Sequence, residues 1–142
     1  MYGALDISTS GMVAQRTRLN VISANVANSS AYLDANGEPN AYRRRIAMLA
    51  PGSDTGNPMG VRVAEVAHDQ SPFRKVYDPT NPYAAKETDP SRDLVEGYVN
   101  YPNVDTTVEM INGVEAARAY EANVMAAEAT KAMMAQALRL IA

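Results

Sequence analysis

The side chains able to do chemistry are few in this chain, and they do not cluster. His68 is the only histidine, and Asp69 follows it directly. A lone imidazole beside a carboxylate can act as a base or hold a metal, but each role asks for further ligands or a positioned third group. Cysteine is absent, so no thiol nucleophile, disulfide or thiolate zinc site can form. An exposed or locally bonded histidine at a strand end is the simpler reading. Asp34-Ala35-Asn36-Gly37 begins like a calcium loop, yet Glu38-Pro39-Asn40-Ala41 lacks the ligand spacing and the terminal glutamate. Tight-turn chemistry accounts for it better. Arg43-Arg44-Arg45 is the one basic cluster, and strand alternation would split it, with Arg44 on one face and Arg43 and Arg45 on the other. A net charge of −3 and the want of an aromatic platform beside it argue against nucleic acid and for a solvated strand or a protein contact. No glycine-rich phosphate loop or serine in a tight-turn context is present. No catalytic site, cofactor or metal is expected.

With chemistry set aside, the elements carry the argument. Asp105 to Ile141 contains no proline and one glycine, Gly113. As a helix it would reach ~55 Å, longer than a small domain is wide. Met110, Ala117, Val124 and Leu138 recur at one heptad position, and Tyr120, Ala127, Met134 and Ile141 at the other; Gly113 and Lys131 interrupt the pattern. Such a stripe belongs to a helix packed along another helix. Thr106 and Glu109 have capping-box spacing, with Asp105 an alternative cap. The alanine-rich run after Ala116 lets a neighbour approach closely. Glu115, Glu121 and Glu128 form an acidic edge open to solvent or to basic groups of a neighbour.

Ala4 to Ala27 is the partner helix. Leu5, Met12, Leu19 and Val26 repeat every seven residues, Ile22 holds the companion position with Ser8 and Gln15, and Ile7, Ala14 and Val21 form a second stripe. Gly11 costs about 1 kcal/mol relative to alanine, so the helix is marginal alone. Between the helices the character changes, because all eight prolines lie from Pro39 to Pro102. Asn36-Gly37 marks a turn, and Tyr42–Leu49, Val61–Val66 and Phe73–Tyr77 read as short strands. Tyr77–Pro90 is expected to be extended and loop-like. This middle is too poor in apolar residues for a large core and is expected to order against a neighbour. The fold expected is mainly α with a small β-containing middle. An N-terminal helix (1–28) and a C-terminal helix (105–142) pair as an antiparallel coiled-coil-like unit around central strands and loops (29–104).

The N-terminus lacks the basic and apolar regions of a secretory signal peptide, and no apolar run is long enough to span a membrane. Export, if any, is expected to use a route without a cleaved signal.

Three stretches resemble a known family. Leu19-Asn20-Val21-Ile22-Ser23-Ala24-Asn25-Val26-Ala27-Asn28 is similar to the N-terminal signature of flagellar rod and hook axial proteins. Glu96-Gly97-Tyr98-Val99-Asn100-Tyr101-Pro102-Asn103-Val104-Asp105 resembles the segment preceding the last helix of their short proximal-rod members. Glu109-Met110-Ile111 and Ala117-Arg118-Ala119-Tyr120-Glu121-Ala122-Asn123-Val124 resemble the run inside that helix. The middle is similar only through Tyr42-Arg43-Arg44 and Tyr77-Asp78-Pro79-Thr80-Asn81-Pro82, and Ser29-Ser30-Ala31-Tyr32 departs from the Thr-Pro often found there. The resemblance implies a structural subunit of the bacterial basal-body rod, spanning the periplasm and transmitting torque to the hook. Its partners would be copies of itself, other rod proteins and the flagellar export apparatus, with no nucleic acid and no membrane span. The residues expected to carry assembly are Leu5, Met12, Leu19, Ile22, Val26, Met110, Ala117, Tyr120, Val124, Ala127, Met134, Leu138 and Ile141. Two alternatives are a secretion-associated helical adaptor or chaperone, which would be a stable soluble dimer, and another short rod subunit.

Overall fold

A computed structural model describes residues 2–52 and 58–141. Two long helices frame the molecule, α1 (Tyr2–Ala27) and α2 (Thr106–Ile141), and four short strands lie between them in sequence: β1 (Arg45–Pro51), β2 (Val61–His68), β3 (Arg74–Tyr77) and β4 (Tyr98–Tyr101). Both helices follow the stretches free of proline. The one starts slightly before the expected Ala4. The other is capped by Asp105, whose Oδ1 accepts from the amides of Thr107 at 2.9 Å and Val108 at 3.3 Å. This is the N-cap arrangement, and it suits the positive end of the helix dipole. The capping-box alternative is not adopted, because Glu109 turns inward to an arginine.

The strands form two separate antiparallel pairs, β1 with β2 and β3 with β4. In the first, Arg45 stands opposite His68 and Pro51 opposite Val61, with an irregularity at Met48/Leu49. This pair packs on α1, where the Val61 amide donates to Ser10 Oγ at 3.1 Å. His68 is exposed at the end of β2, as the simpler reading expected. The Asn36-Gly37 turn also forms, with Gly37 at φ +80 and Asp34 Oδ1 accepting from the amides of Asn36 and Glu38.

β4 is the strand that sequence pattern missed. It follows Gly97, whose φ is +78, and a Cβ there would sit 2.9 Å from the Tyr77 ring. Both facts require glycine at the corner. The residues between β3 and β4 are not extended as expected. Pro79, Pro82 and Pro90 open turns, and Pro90–Arg92 makes a single 3-10 turn capped by Asp89.

The core is thin. Among the described residues the buried apolar groups are Ala14, Ile22, Val99 and Ala116, while the largest fully buried side chains are Glu109, Asn25 and Pro102. The chain exposes 9585 Å² for its 15.3 kDa. A compact monomer of that mass would expose about 7,100 Å². The middle therefore has little apolar interior of its own. Polar contacts hold it to the helices.

Candidate assembly surface and its buried polar anchor

The helices run antiparallel, because Gly11 lies against Asn123, Ile22 against Gly113 and Asn25 against Glu109. The contact between them is centred on small and polar residues. On α1 the buried positions are Ser8, Gly11, Ala14, Ile22 and Asn25; on α2 they are Glu109 and Ala116. A Cβ at residue 11 would meet Asn123 Oδ1 at 2.6 Å, so the glycine that weakens α1 as a helix leaves the space that the Asn123 side chain fills. Asn123 in turn donates to the Ala119 carbonyl at 2.8 Å. Gly11→Leu is expected to force the helices apart and cost about 2 kcal/mol or more, the scale of overpacking in a tight contact. A lower urea midpoint with retained far-UV helicity of α2 would show it; an unchanged midpoint would contradict the close approach.

The expected assembly residues divide in two. Ile22, Tyr120 and Ala127 lie along the contact between the helices, buried or half-buried, whereas Met134, half-buried, lies beyond the start of α1. Gly113 does not interrupt this contact but belongs to it, facing Ile22. Leu5, Met12, Leu19 and Val26 fall one position to the side, as do Met110, Ala117, Val124 and Leu138 on α2. In an antiparallel pair these two stripes occupy the same flank. The opposite flank is the one the β1–β2 pair covers, where Val21, Ile46, Ala47 and Asn112 line a cavity of about 90 Å³. The first flank has no strand on it. Met110 is 61% exposed and Leu138 69%. The Ile141 side chain lies outside the described groups. Beyond Lys131, α2 also runs past the start of α1. Further round it, Ile111, Val114 and Met125 are exposed as well.

What fixes this surface relative to the middle is a polar cluster at the far end of the helix pair. Asn25 Nδ2 donates to the Arg45 carbonyl and to Glu109 Oε2, both at 2.8 Å. Its Oδ1 accepts from the Arg45 amide at 2.9 Å and the Tyr42 hydroxyl at 3.0 Å. Arg44 donates to Glu109 Oε1 from Nε at 2.9 Å and Nη2 at 2.7 Å, and more weakly to Asp69 at 3.4 Å. The Arg44 amide donates to Asn103 Oδ1 at 2.9 Å, and Asn103 Nδ2 reaches Ser71 Oγ at 2.8 Å. Segments far apart in sequence are thus joined through one buried carboxylate. Burial works to lower the Arg44 pKa, but Glu109 and Asp69 outweigh it and hold it above its ordinary value. The Ser71 amide and hydroxyl, then Arg44, hold the Asp69 carboxyl below the usual carboxylate range. Burial raises the Tyr42 hydroxyl.

The three arginines do separate, and Arg45 stays exposed. Arg44 enters the cluster, Arg43 stacks 4.3 Å from the Phe73 ring centroid, and Arg45 lies 5.5 Å from that of Tyr42. Asn25, Asn103 and Glu109 were not anticipated as a group. Each lies in a segment that carries the resemblance, among other polar residues, so nothing local marks it out. Among the described residues no group of acids and histidine could hold a metal ion, and no helix is long and apolar enough to cross a membrane.

Comparison with known proteins follows the same division of the chain. Residues 5–30 match the family described as flagella basal body rod protein, and residues 95–140 match the flagellar basal body rod FlgEFG protein C-terminal family. The flagellar basal-body rod protein FlgC of Yersinia enterocolitica is 39% identical, with 99% of this chain and 97% of the relative aligned. FlgC of Bacillus subtilis is 38% identical over 98% and 97%, and FlgC of Borreliella burgdorferi 34% over 99% and 97%. The alignments cross the middle as well as both helices, so by its whole length this chain belongs to the FlgC family of flagellar basal-body rod proteins.

Proposed function

We propose that the chain is a structural subunit of the flagellar basal-body rod, building a helical assembly with copies of itself and other rod proteins. The observation that carries this reading is the apolar flank of the α1–α2 pair that carries no strand, half-buried from Leu5 to Val26 and exposed at Met110, on a chain whose family is that of rod proteins. A stripe of this kind costs solubility unless a partner covers it. In this reading residues 1–28 and 105–142 form one coiled-coil-like unit that packs into the rod, and residues 29–104 form a separate β and loop region. The polar cluster lets torque on the unit move the middle with it, because a buried, fully bonded network resists shear better than exposed contacts. The role is mechanical, not catalytic. Contacts between non-equivalent faces propagate as an open helix instead of closing into a dimer. We place the subunit in the periplasm-spanning part of the basal body, delivered through the flagellar export apparatus without a cleaved signal peptide.

Met12→Asp and Val124→Asp test this directly. Each puts a charge on the open flank and touches none of the polar cluster. Both variants are expected to be exported but absent from purified basal bodies, and the cells to be non-motile. Normal incorporation of both would refute the flank as an assembly surface.

A further inference from the structure

The middle of the chain leaves a strand edge open beside a cleft. In the β3–β4 pair the Asp78 amide donates to the Gly97 carbonyl at 3.0 Å, and Tyr77 stands opposite Tyr98. Antiparallel alternation then bonds Val99 and Tyr101 to β3 and turns the main-chain groups of Tyr98 and Asn100 outward. The chain itself meets those of Tyr98, whose amide donates to the Val95 carbonyl and whose carbonyl accepts from the Ala85 amide, both at 3.0 Å. Nothing among the described residues meets the next pair, the amide and carbonyl of Asn100. Pro102 has no amide to donate, so the open edge ends there.

Asn100 lines a cleft of about 530 Å³ between β4, residues 82–86 and the loop that carries Tyr32. The volume lies within the roughly 300–1,000 Å³ of clefts that hold a ligand. Its wall carries Phe73 and Tyr98, and the Tyr83 ring meets the Tyr32 ring edge-on with centroids 6.2 Å apart. Lys86 is the only charged residue among those lining it. It is exposed and makes no ion pair among the described residues. Lys75, opposite Asn100 on β3, is already paired with Asp93.

We propose that this cleft takes an extended segment of another protein. The segment adds a strand position to β4 at Asn100, sets apolar side chains against the aromatic wall and brings a carboxylate to Lys86. An unpaired donor and acceptor on a strand edge match a peptide backbone, and the aromatic wall suits side chains that alternate along an extended chain. The one unpaired positive charge selects an acidic residue over a basic one. The proposal concerns the middle of the chain and stands whether or not the open flank packs in the rod.

The probe is the capped pentapeptide Thr-Val-Glu-Val-Thr, about 17 Å long when extended, titrated into the isotope-labelled full-length chain. The Asn100 amide resonance is expected to shift on binding, and its hydrogen exchange to slow about tenfold or more. Replacing the glutamate by lysine, or methylating the peptide's backbone nitrogens, is expected to weaken binding about tenfold or more. Lys86→Glu is expected to reverse the preference between the glutamate and lysine peptides. An Asn100 amide that no peptide moves at millimolar concentration overturns the proposal. So does a wild-type chain that binds both peptides alike, or a Lys86→Glu chain with the preference unaltered. A methylated peptide that binds as well as its parent removes the strand pairing and the proposal with it. A shift at Asn100 that grows with protein concentration alone gives the cleft to a second copy and overturns it as well.

Discussion

Replacing Arg44 by methionine is expected to lower folding stability by about 3 kcal/mol, the lower end of the cost of stranding one member of a buried ion pair. The lower end applies because Arg44 is 24% exposed whereas Glu109 is 1% exposed. The substitution leaves Glu109 buried with one remaining donor, Asn25 Nδ2, where three had served its two oxygens. Domains of this size hold roughly 5–15 kcal/mol in all, and this one has a thin core, so the loss should be visible as a much lower urea midpoint. Arg44→Met combined with Glu109→Leu removes both charges and is expected to recover most of the deficit, because an apolar pair carries no desolvation penalty. An Arg44→Met protein with the wild-type midpoint would show that the pair contributes nothing net. The middle should also loosen from the helices, seen as faster proteolysis between residues 29 and 104.

The second large effect is expected at Asn25, where alanine and aspartate should differ in a telling way. Asn25→Ala removes bonds to Arg45, Tyr42 and Glu109 and leaves buried groups unpaired, a cost of about 2–3 kcal/mol. Asn25→Asp keeps the shape but puts a carboxylate oxygen where Nδ2 now lies, 2.8 Å from Glu109 Oε2. Two carboxylates at that distance cannot both ionise cheaply, so one binds a proton well above the usual carboxylate range. The folded aspartate variant therefore holds a proton that the unfolded chain releases. Its deficit should be greatest at neutral pH and shrink as the pH falls toward the ordinary carboxylate range. The alanine variant lacks the second carboxyl and should show no such relief. Equal pH profiles for the two would mean that the contact with Glu109 is not the close one described.

Both predictions concern residues that periodicity passed over. Asn25 and Glu109 sit at helix positions facing the partner helix, where a pattern built on apolar repeats counts a polar residue as an interruption. Their value lies in partners from elsewhere in the chain, Tyr42, Arg44 and Arg45 above all, and nothing local in sequence announces those meetings. Gly11 has the same character. Judged by helix propensity it is a weakness, and only the position of the Asn123 side chain shows what fills the space of the missing Cβ. β4 escaped notice because Tyr98–Tyr101 is too short to display alternation, and it is Gly97 against the Tyr77 ring that sets its start.

The sequence by itself determined the two helices and nearly their ends, the β character of the proline-bearing middle and the likeness to rod proteins. These follow from local causes: the absence of proline, the seven-residue spacing and the Asp105 cap act within a few residues of where they are read. The tertiary structure alone decided which stripe of each helix faces inward. Adjacent stripes on a helix have the same period, so spacing cannot tell the stripe that meets the partner from the one beside it. The close approach of α1 and α2 selected the small and polar stripe, Ser8, Gly11 and Asn25 against Ala116 and Glu109. The larger groups, Leu5 to Val26 and Met110 to Leu138, were left on the open flank. Steric fit between two backbones made that choice, and only the folded pair contains it.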